Sequence, residues 1–425
     1  MDNKTENQDA NEPHLELLGR VFEKKQIPFL PTNSAPHGIL WDFCYGARIY
    51  IPHNLKNQYL ITIVDLDNDT KMFEGILNPD DYFVSEKRYF VNYGIQIVEY
   101  PSGKKILQHK YNAKNKDILI RYHSHALGDT LAWFNAVDSF QRKHDCNMFI
   151  HVADYIRPLL ENTYKKFQFV SAEENLNITP YASYTLAIFQ NDINKNETPI
   201  DYRVVPLHHY SSYILGVKPN DIAPSIEINT EYKTPQEPYV VIASQASGGV
   251  KMWNNPLGWE EVIIFLKLVG YRVIDIDRDY VVGTGIHWNK IPREAEDFTG
   301  NGSLTDRAAL IRNADFFIGL GSGLSWLAWC CGVPIVLISG FSESWAEMPT
   351  DYRVINQNVC HGCYNDVRHR LDSGRYTWCP RHEGTSRQWE CSRAITAKSV
   401  IEKIKKIPSF QKRVKAQREK TNKGD

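Results

Sequence analysis

Three short stretches of this chain carry residue types suited to chemistry on phosphorylated substrates. Gly321-Ser322-Gly323-Leu324-Ser325-Trp326 follows an apolar run and precedes a helical pattern. Glycines there let backbone N–H groups approach an anion, Ser322 and Ser325 add hydroxyls, and a helix start adds partial positive charge. A tight turn between buried elements has the same composition. His123-Ser124-His125-Ala126-Leu127-Gly128-Asp129-Thr130 sets Asp129 where a strand gives way to a helix. A carboxylate at that point can take a proton from an acceptor hydroxyl attacking an electrophilic carbon, or it can cap the helix. The stretch from Ser247 to Pro256 brings Lys251, suited to the charge growing on a diphosphate leaving group. It also brings Trp253, whose ring would offer a face to a sugar or pack inside.

A fourth stretch has metal-ligand spacing. Cys360-His361-Gly362-Cys363 is followed by single cysteines at Cys379 and Cys391 in a short Gly- and Arg-rich segment. The close pair matches a metal knuckle, and four thiolates leave no open coordination position, so the role is structural. Zinc is the common occupant, and tetrahedral sulfur also suits iron. Cys330 and Cys331 read as packing residues, and Cys44 and Cys146 carry no signal. The pairs Asp65/Asp67 and Asp275/Asp277 fit turns or strand ends as well as they fit a divalent cation. A lysine loop, an acid across a cleft and a glycine cradle describe nucleotide-sugar transfer without a catalytic metal.

The elements that must hold these groups fall into sections. Residues 1–115 contain short β-type runs at Ile49–Ile51, Tyr59–Val64, Tyr89–Val91 and Ile95–Tyr100, with a turn signal at Pro101-Ser102-Gly103. They predict a small antiparallel module whose edges are candidates for subunit contacts. From Asp117 the pattern becomes alternating strand and helix. Strands are expected at Asp117–His123, Asn147–Val152 and Phe167–Val170, with helices at Leu131–Arg142 and near Tyr155–Tyr164. A Pro-rich link from Val217 to Pro238 leads to a second set. Its strands are Tyr239–Ser244, Tyr271–Asp277, Asp315–Leu320 and Pro334–Ser339, and its helices Gly258–Leu268 and Leu304–Arg312. The division is thus 1–115 for the β-rich module, 116–220 and 221–359 for two Rossmann-like doubly wound halves, 360–391 for the metal segment, and 392–425 for a helix and basic tail. The chemistry-bearing loops all lie at carboxyl ends of strands, where open α/β sheets bind ligands.

Composition narrows the class. The 425 residues are 42% hydrophobic and 23% charged, which gives a globular chain of two or three cores. A formal net charge of -1 provides no field for nucleic acid or an anionic membrane. No apolar run reaches the roughly 18 residues of a membrane span. Met1–Asn11 has neither the basic start nor the apolar segment of a secretion signal, so a cytoplasmic location is expected. In that reducing compartment eight cysteines do not form a disulfide framework, and clustered ones point to metal.

The motifs also carry a family resemblance. Leu127-Gly128-Asp129-Thr130 resembles the first loop of the heptosyltransferases, whose Asp is the proposed base. Lys251 with Trp253 resembles their K-x-W element, and Gly321 to Ser325 is similar to their D-T-G-L-S phosphate loop. Gly321 stands where that family has Asp, and Trp326 where it has His. With the β module and the four cysteines added, most of the chain resembles the bacterial autotransporter heptosyltransferases. The resemblance implies a GT-B architecture and transfer of heptose from ADP-heptose to serines of an autotransporter adhesin passenger. Asp129 would be the base, with the donor held by Lys251, Trp253 and the stretch Gly321, Ser322, Gly323, Leu324, Ser325 and Trp326. It further implies iron on Cys360, Cys363, Cys379 and Cys391, and a homo-oligomeric ring of about twelve subunits. Two other readings remain: lipopolysaccharide core as the acceptor, or a non-catalytic nucleotide-binding scaffold in which Asp129 only caps its helix.

Overall fold

The computed structural model describes residues 29–171 and 178–424. The polar stretch Met1–Asn11 lies outside them. The chain opens with β1 (Asn33–Ser34), β2 (Leu40–Cys44) and β3 (Arg48–Tyr50). It continues through β4 (Gln58–Asp65), β5 (Thr70–Leu77), β6 (Tyr82–Val84), β7 (Tyr93–Tyr100) and β8 (Lys105–Lys110). β4, β5, β7 and β8 form an antiparallel sheet in the order β5-β4-β7-β8. Period-two alternation builds it: Tyr59, Ile61 and Ile63 on β4 and Tyr93, Ile95 and Ile97 on β7 point inward and are buried. The expected turn at Pro101-Ser102-Gly103 joins β7 to β8.

The first Rossmann-like half comprises β9 (Asp117–Tyr122), α1 (Leu127–His144), β10 (Asn147–His151), β11 (Phe167–Phe169), β12 (Ala182–Leu186) and α2 (Leu207–Ile214). Its sheet does not stop at its own strands. β2 pairs in parallel with β12, and β3 and β6 follow it, giving the order β11-β10-β9-β12-β2-β3-β6. Strands from the first hundred residues therefore extend the sheet that positions Asp129, and one hydrophobic core runs beneath both.

The second half comprises β13 (Tyr239–Ile242), α3 (Gly258–Leu268), β14 (Arg272–Asp275), the hairpin of β15 (Val281–Thr284) and β16 (His287–Lys290), β17 (Glu296–Asp297) and α4 (Leu304–Arg312). β18 (Phe317–Leu320), α5 (Gly323–Cys331), β19 (Ile335–Ile338) and β20 (Tyr352–Val354) complete it. The main sheet is fully parallel in the order β17-β14-β13-β18-β19-β20. Continuous apolar runs such as Tyr239–Ile242 and Ile335–Ile338 are buried along their whole length, as strands covered on both faces must be. After the cysteine segment, α6 (Glu390–Arg393), α7 (Ala397–Ile404) and α8 (Pro408–Gly424) close the chain. Val400, Ile404, Ile407 and Phe410 dock this basic end on the second half's core, with Lys405 and Lys406 facing solvent.

Two expected elements are absent. Tyr89–Val91 is a connection and not a strand, because the Phe90 N–H donates to Ile214 O at 2.8 Å and its ring packs over Gly216, at the end of α2. The helix near Tyr155–Tyr164 shrinks to a 3-10 turn at Arg157–Leu159. Pro158 removes a backbone donor there, and Asn162 and Thr163 are poor helix formers.

A buried ion pair ties β2 to β3. The Arg48 guanidinium donates to both Asp42 carboxylate oxygens, at 2.7 and 2.5 Å, and the N–H groups of Thr32 and Cys44 donate to the same carboxylate. Both side chains are at most 1% exposed. Asp42→Ala should therefore cost about 3–5 kcal/mol by stranding the guanidinium, read as a lowered urea midpoint. Glu74→Ala, which removes an exposed partner of Lys71, should leave that midpoint nearly unchanged.

Candidate active site between the two halves

The halves face each other across a cleft of about 1500 Å³. That exceeds the roughly 300–1,000 Å³ of a small-ligand pocket and leaves room for a nucleotide sugar together with an acceptor segment. The loops after β9, β13 and β18 all open into it, as their carboxyl-end positions require.

The cleft floor is made where two helix starts meet. α1 and α5 are packed neighbours. A Cβ on Gly323 would sit 3.1 Å from Leu127 Cβ and 3.3 Å from the Gly128 nitrogen, and a Cβ on Gly128 would sit 3.0 Å from the Trp326 ring. Both glycines favour this close approach. The starts of the two helices, whose first N–H groups lack intrahelical acceptors, therefore lie side by side at the cleft, a setting suited to an anion.

Asp129 lies in the first turn of α1, half-buried on the cleft wall. It does not occupy the N-cap, which is Ala126, and that cap makes no side-chain hydrogen bond. Burial pushes the Asp129 carboxyl above its ordinary 3.8, against the opposing pulls of the Ser124 hydroxyl and Lys251. A raised pKa makes a better proton acceptor. Lys251 ends a 3-10 turn at Gly249–Lys251 and also lines the cleft, with Nζ 5.7 Å from the Phe341 ring centroid. Burial holds its ammonium below the ordinary 10.5, while the charges of Asp129 and Glu347 push it back up. Acid and base thus face each other from opposite halves.

The glycine loop behaves partly as expected. Gly321, Ser322, Gly323, Leu324 and Trp326 line the cleft. Ser325 does not: it is fully buried and its hydroxyl donates to Leu320 O at 2.6 Å, fastening the loop to the end of β18. The absent side chain at Gly321 has a reason. A Cβ there would lie 2.4 Å from Glu347 Oε1. That carboxylate accepts from Ser339 Oγ at 3.0 Å and Ser342 Oγ at 2.7 Å and pairs with Arg353. A negative charge accordingly stands beside the loop without being carried on it. Trp253 is a correction to the sugar-face expectation. It is 4% exposed in the second core, edge-on to Trp259, and its Nε1–H donates to Ile395 O at 2.9 Å. It anchors the loop that carries Lys251, and the aromatic lining of the cleft is supplied by Tyr155, Trp288, Trp326, Phe341, Tyr364 and Tyr376 instead.

The four cysteines form one small core with Val250, Phe341, Trp378 and Trp389. All are free thiols. Gly362, at φ +69, turns the knuckle between Cys360 and Cys363, and Arg381 Nη1 stands 3.7 Å from Cys360 Sγ. Among the described residues no three of these sulfurs lie within 4.8 Å of one another. The segment reaches the cleft directly. A Cβ on Gly249 would meet Trp389 at 2.3 Å, the Gly249 N–H donates to Tyr376 O at 2.9 Å, and a Cβ on Gly340 would meet Cys391 O at 2.4 Å. Val250 and Phe341 are next to Lys251 and the cleft wall, so the thiol core supports both.

Sequence reading missed three contributors. Tyr364, next to Cys363, lines the cleft near Asp129 and Glu347, and burial keeps its phenol protonated far above ordinary pH. Nothing in its local sequence marks it. The loop Gly300-Asn301-Gly302-Ser303 enters the cleft before α4, where Ser303 Oγ accepts from the Asp306 N–H at 3.0 Å. Its Gly-Asn-Gly-Ser composition was a legible signal of the same kind as residues 321–323. Glu347 is the third. The Asp275/Asp277 pair takes the strand-end role: Ser244 Oγ donates to Asp275 at 2.6 Å, and the N–H groups of Ser244 and Gln245 donate to Asp277 at 2.7 and 2.9 Å. Burial raises both carboxyls, and the charge of Asp275 raises Asp277 further.

Comparison with known proteins agrees with this geometry. Residues 35–100 match the family described as glycosyltransferase TibC, N-terminal domain. The chain is 40% identical over 383 residues to the autotransporter heptosyltransferase Aah of Escherichia coli, covering 90% of this chain and 96% of Aah. It is similar, with a TM-score of 0.85 and 38% identity, to the crystal structure of the dodecameric iron-containing heptosyltransferase TibC in complex with ADP-D-beta-D-heptose, covering 91% of this chain and 99% of that one. It is also 32% identical over 381 residues to the inactive autotransporter heptosyltransferase BimC of Burkholderia thailandensis, covering 90% of this chain and 88% of BimC. Among the described residues no helix is long and apolar enough to cross a membrane.

Proposed function

The chain belongs to the autotransporter heptosyltransferases, a GT-B glycosyltransferase family, and from that premise we propose that it transfers heptose from ADP-heptose to serine hydroxyls of an autotransporter adhesin passenger. The observation that carries this reading is the cleft in which Asp129 of one half faces Lys251 and the start of α5 in the other. The reaction is a single displacement. The serine oxygen bonds to the anomeric carbon as Asp129 takes its proton, and the bond from that carbon to the diphosphate oxygen breaks. Charge appearing on the departing ADP is met by Lys251 and by the N–H groups opening α5. Trp326 and Tyr364 shape the sugar pocket. Residues 116–220 present the acceptor and 221–359 the donor.

TibC is described as iron-containing and dodecameric, and we extend both properties to this chain. Cys360, Cys363, Cys379 and Cys391 fit such an ion: four soft thiols in one apolar core, none in a disulfide, with a guanidinium beside one sulfur. Bound there, the ion supplies a structural cross-link with no open position. The chain's own residues then hold Val250 and Phe341 against the Lys251 turn. A cytoplasmic location follows from the ADP-sugar donor and the reduced thiols.

The relative BimC is inactive, which keeps a scaffold role as the second reading and makes activity the first thing to measure. Intact mass of a coexpressed passenger should rise by one heptose per modified serine, and Asp129→Asn should slow transfer by roughly 10²–10⁴-fold with donor binding retained. No increment with the unaltered chain would favour the scaffold, transfer to lipopolysaccharide core in a parallel assay would change the acceptor, and full rate in Asp129→Asn would remove the base assignment. kcat/KM should be bell-shaped in pH. Asp129 must be ionised, so activity is lost as pH falls through a value above 3.8, and Lys251 must be charged, so it is lost as pH rises through a value below 10.5. Cys379→Ser should reduce iron per chain and lower the unfolding midpoint. Unaltered metal content in that variant would contradict the thiolate site.

A further inference from the structure

A second cluster of ligating side chains lies outside the cleft and outside the cysteine core. His208 and His209, at the start of α2, both direct Nε2 at Asp221 Oδ1, at 2.8 and 2.7 Å. The three ligand atoms lie within 4.8 Å of one another, a grouping that no other His, Cys, Asp or Glu trio matches among the described residues. The two rings are 4.3 Å apart at an interplanar angle of 61°, which lets both nitrogens aim at one point. His208 is buried and its Nδ1 has no hydrogen-bond partner, so the ring's polar engagement is through Nε2 alone. Asp221 is 65% exposed, which leaves the cluster reachable from solvent.

We propose that His208, His209 and Asp221 bind a divalent transition-metal cation of the zinc type, with water completing the coordination. Two imidazoles and one carboxylate are a borderline nitrogen and oxygen donor set, which suits such a cation and differs from the all-sulfur set of the cysteine core. Each histidine ligates as its neutral Nδ1–H tautomer, turning the Nε2 lone pair to the metal in place of a hydrogen bond to Asp221. Location gives the site a consequence. Asp221 belongs to the link between the halves, α2 to the first half, and the His208 ring lies 6.0 Å from Trp326 and 5.5 Å from Trp329 of α5 in the second. A cation here fastens the link to α2 behind the aromatic wall of the cleft.

Cobalt(II) titrated into the untagged full chain tests this, because thiolate ligation gives an intense sulfur charge-transfer band and nitrogen and oxygen ligation does not. The expected result is one equivalent with the sulfur band and one further equivalent without it. His209→Ala and Asp221→Asn, both on the accessible side of the cluster, should each weaken the second equivalent by roughly 100-fold, at least the loss seen when a metal's outer partners are removed. Cys379→Ser should remove the sulfur band and leave the second equivalent in place, so failure of the cysteine site and failure of this one are told apart. Absence of the further equivalent, or its survival undiminished in both His209→Ala and Asp221→Asn, overturns the proposal and leaves the trio as a hydrogen-bonded latch.

Discussion

The close approach of two helix starts is the constraint on which the rest of the molecule depends. α1 and α5 come from different halves, yet Gly128 and Gly323 let their first turns touch. A Cβ at either position would sit 3.0–3.1 Å from a neighbour, tighter than ordinary van der Waals contact, so the two first turns would have to give way. The contact sets the two helix starts side by side at the cleft, and it fixes Asp129, one residue beyond Gly128, against the donor side. The roles proposed for Asp129 on its helix and Lys251 on a turn of the other half require the two sheets to keep this separation.

The cysteine segment works on the same geometry from behind. Lys251 ends the short 3-10 turn Gly249–Lys251. Gly249 rests on Trp389, Val250 enters the thiol core, and Trp253 is locked into the second core through Ile395. The metal proposed for the four sulfurs would stiffen this region by joining residues distant in sequence. That region also supplies Tyr364 to the cleft, so the cysteine segment forms one wall of the cleft as well as supporting another.

Much of this was legible. α3 and α4 span the residues that apolar periodicity assigns them, and β13, β14, β18 and β19 fall within their expected runs, because fully buried parallel strands leave continuous apolar stretches. The features that sequence reading missed share a cause. β2 was read as part of a separate module, but its partner is β12, about 140 residues away, and pairing at that separation leaves no local trace. Tyr89–Val91 has strand composition, yet Phe90 is claimed by Gly216 and Ile214. Trp253 and Ser325 looked like ligand contacts because indole and hydroxyl groups serve binding and anchoring equally well, and here nearby backbone carbonyls take their donors.

The sequence by itself determined the residue types and the strand-to-helix junctions that carry Asp129, Lys251, the 321–326 loop and the four cysteines. Those properties are local, set by periodicity, capping and glycine. Tertiary structure alone decided which half faces which, that Glu347 fills the space beside Gly321, that the thiol core lies behind Lys251, and that His208, His209 and Asp221 meet. Each of those joins residues at least 12 positions apart, chosen by how side-chain volumes close-pack, and packing has no short-range signature in the order of amino acids.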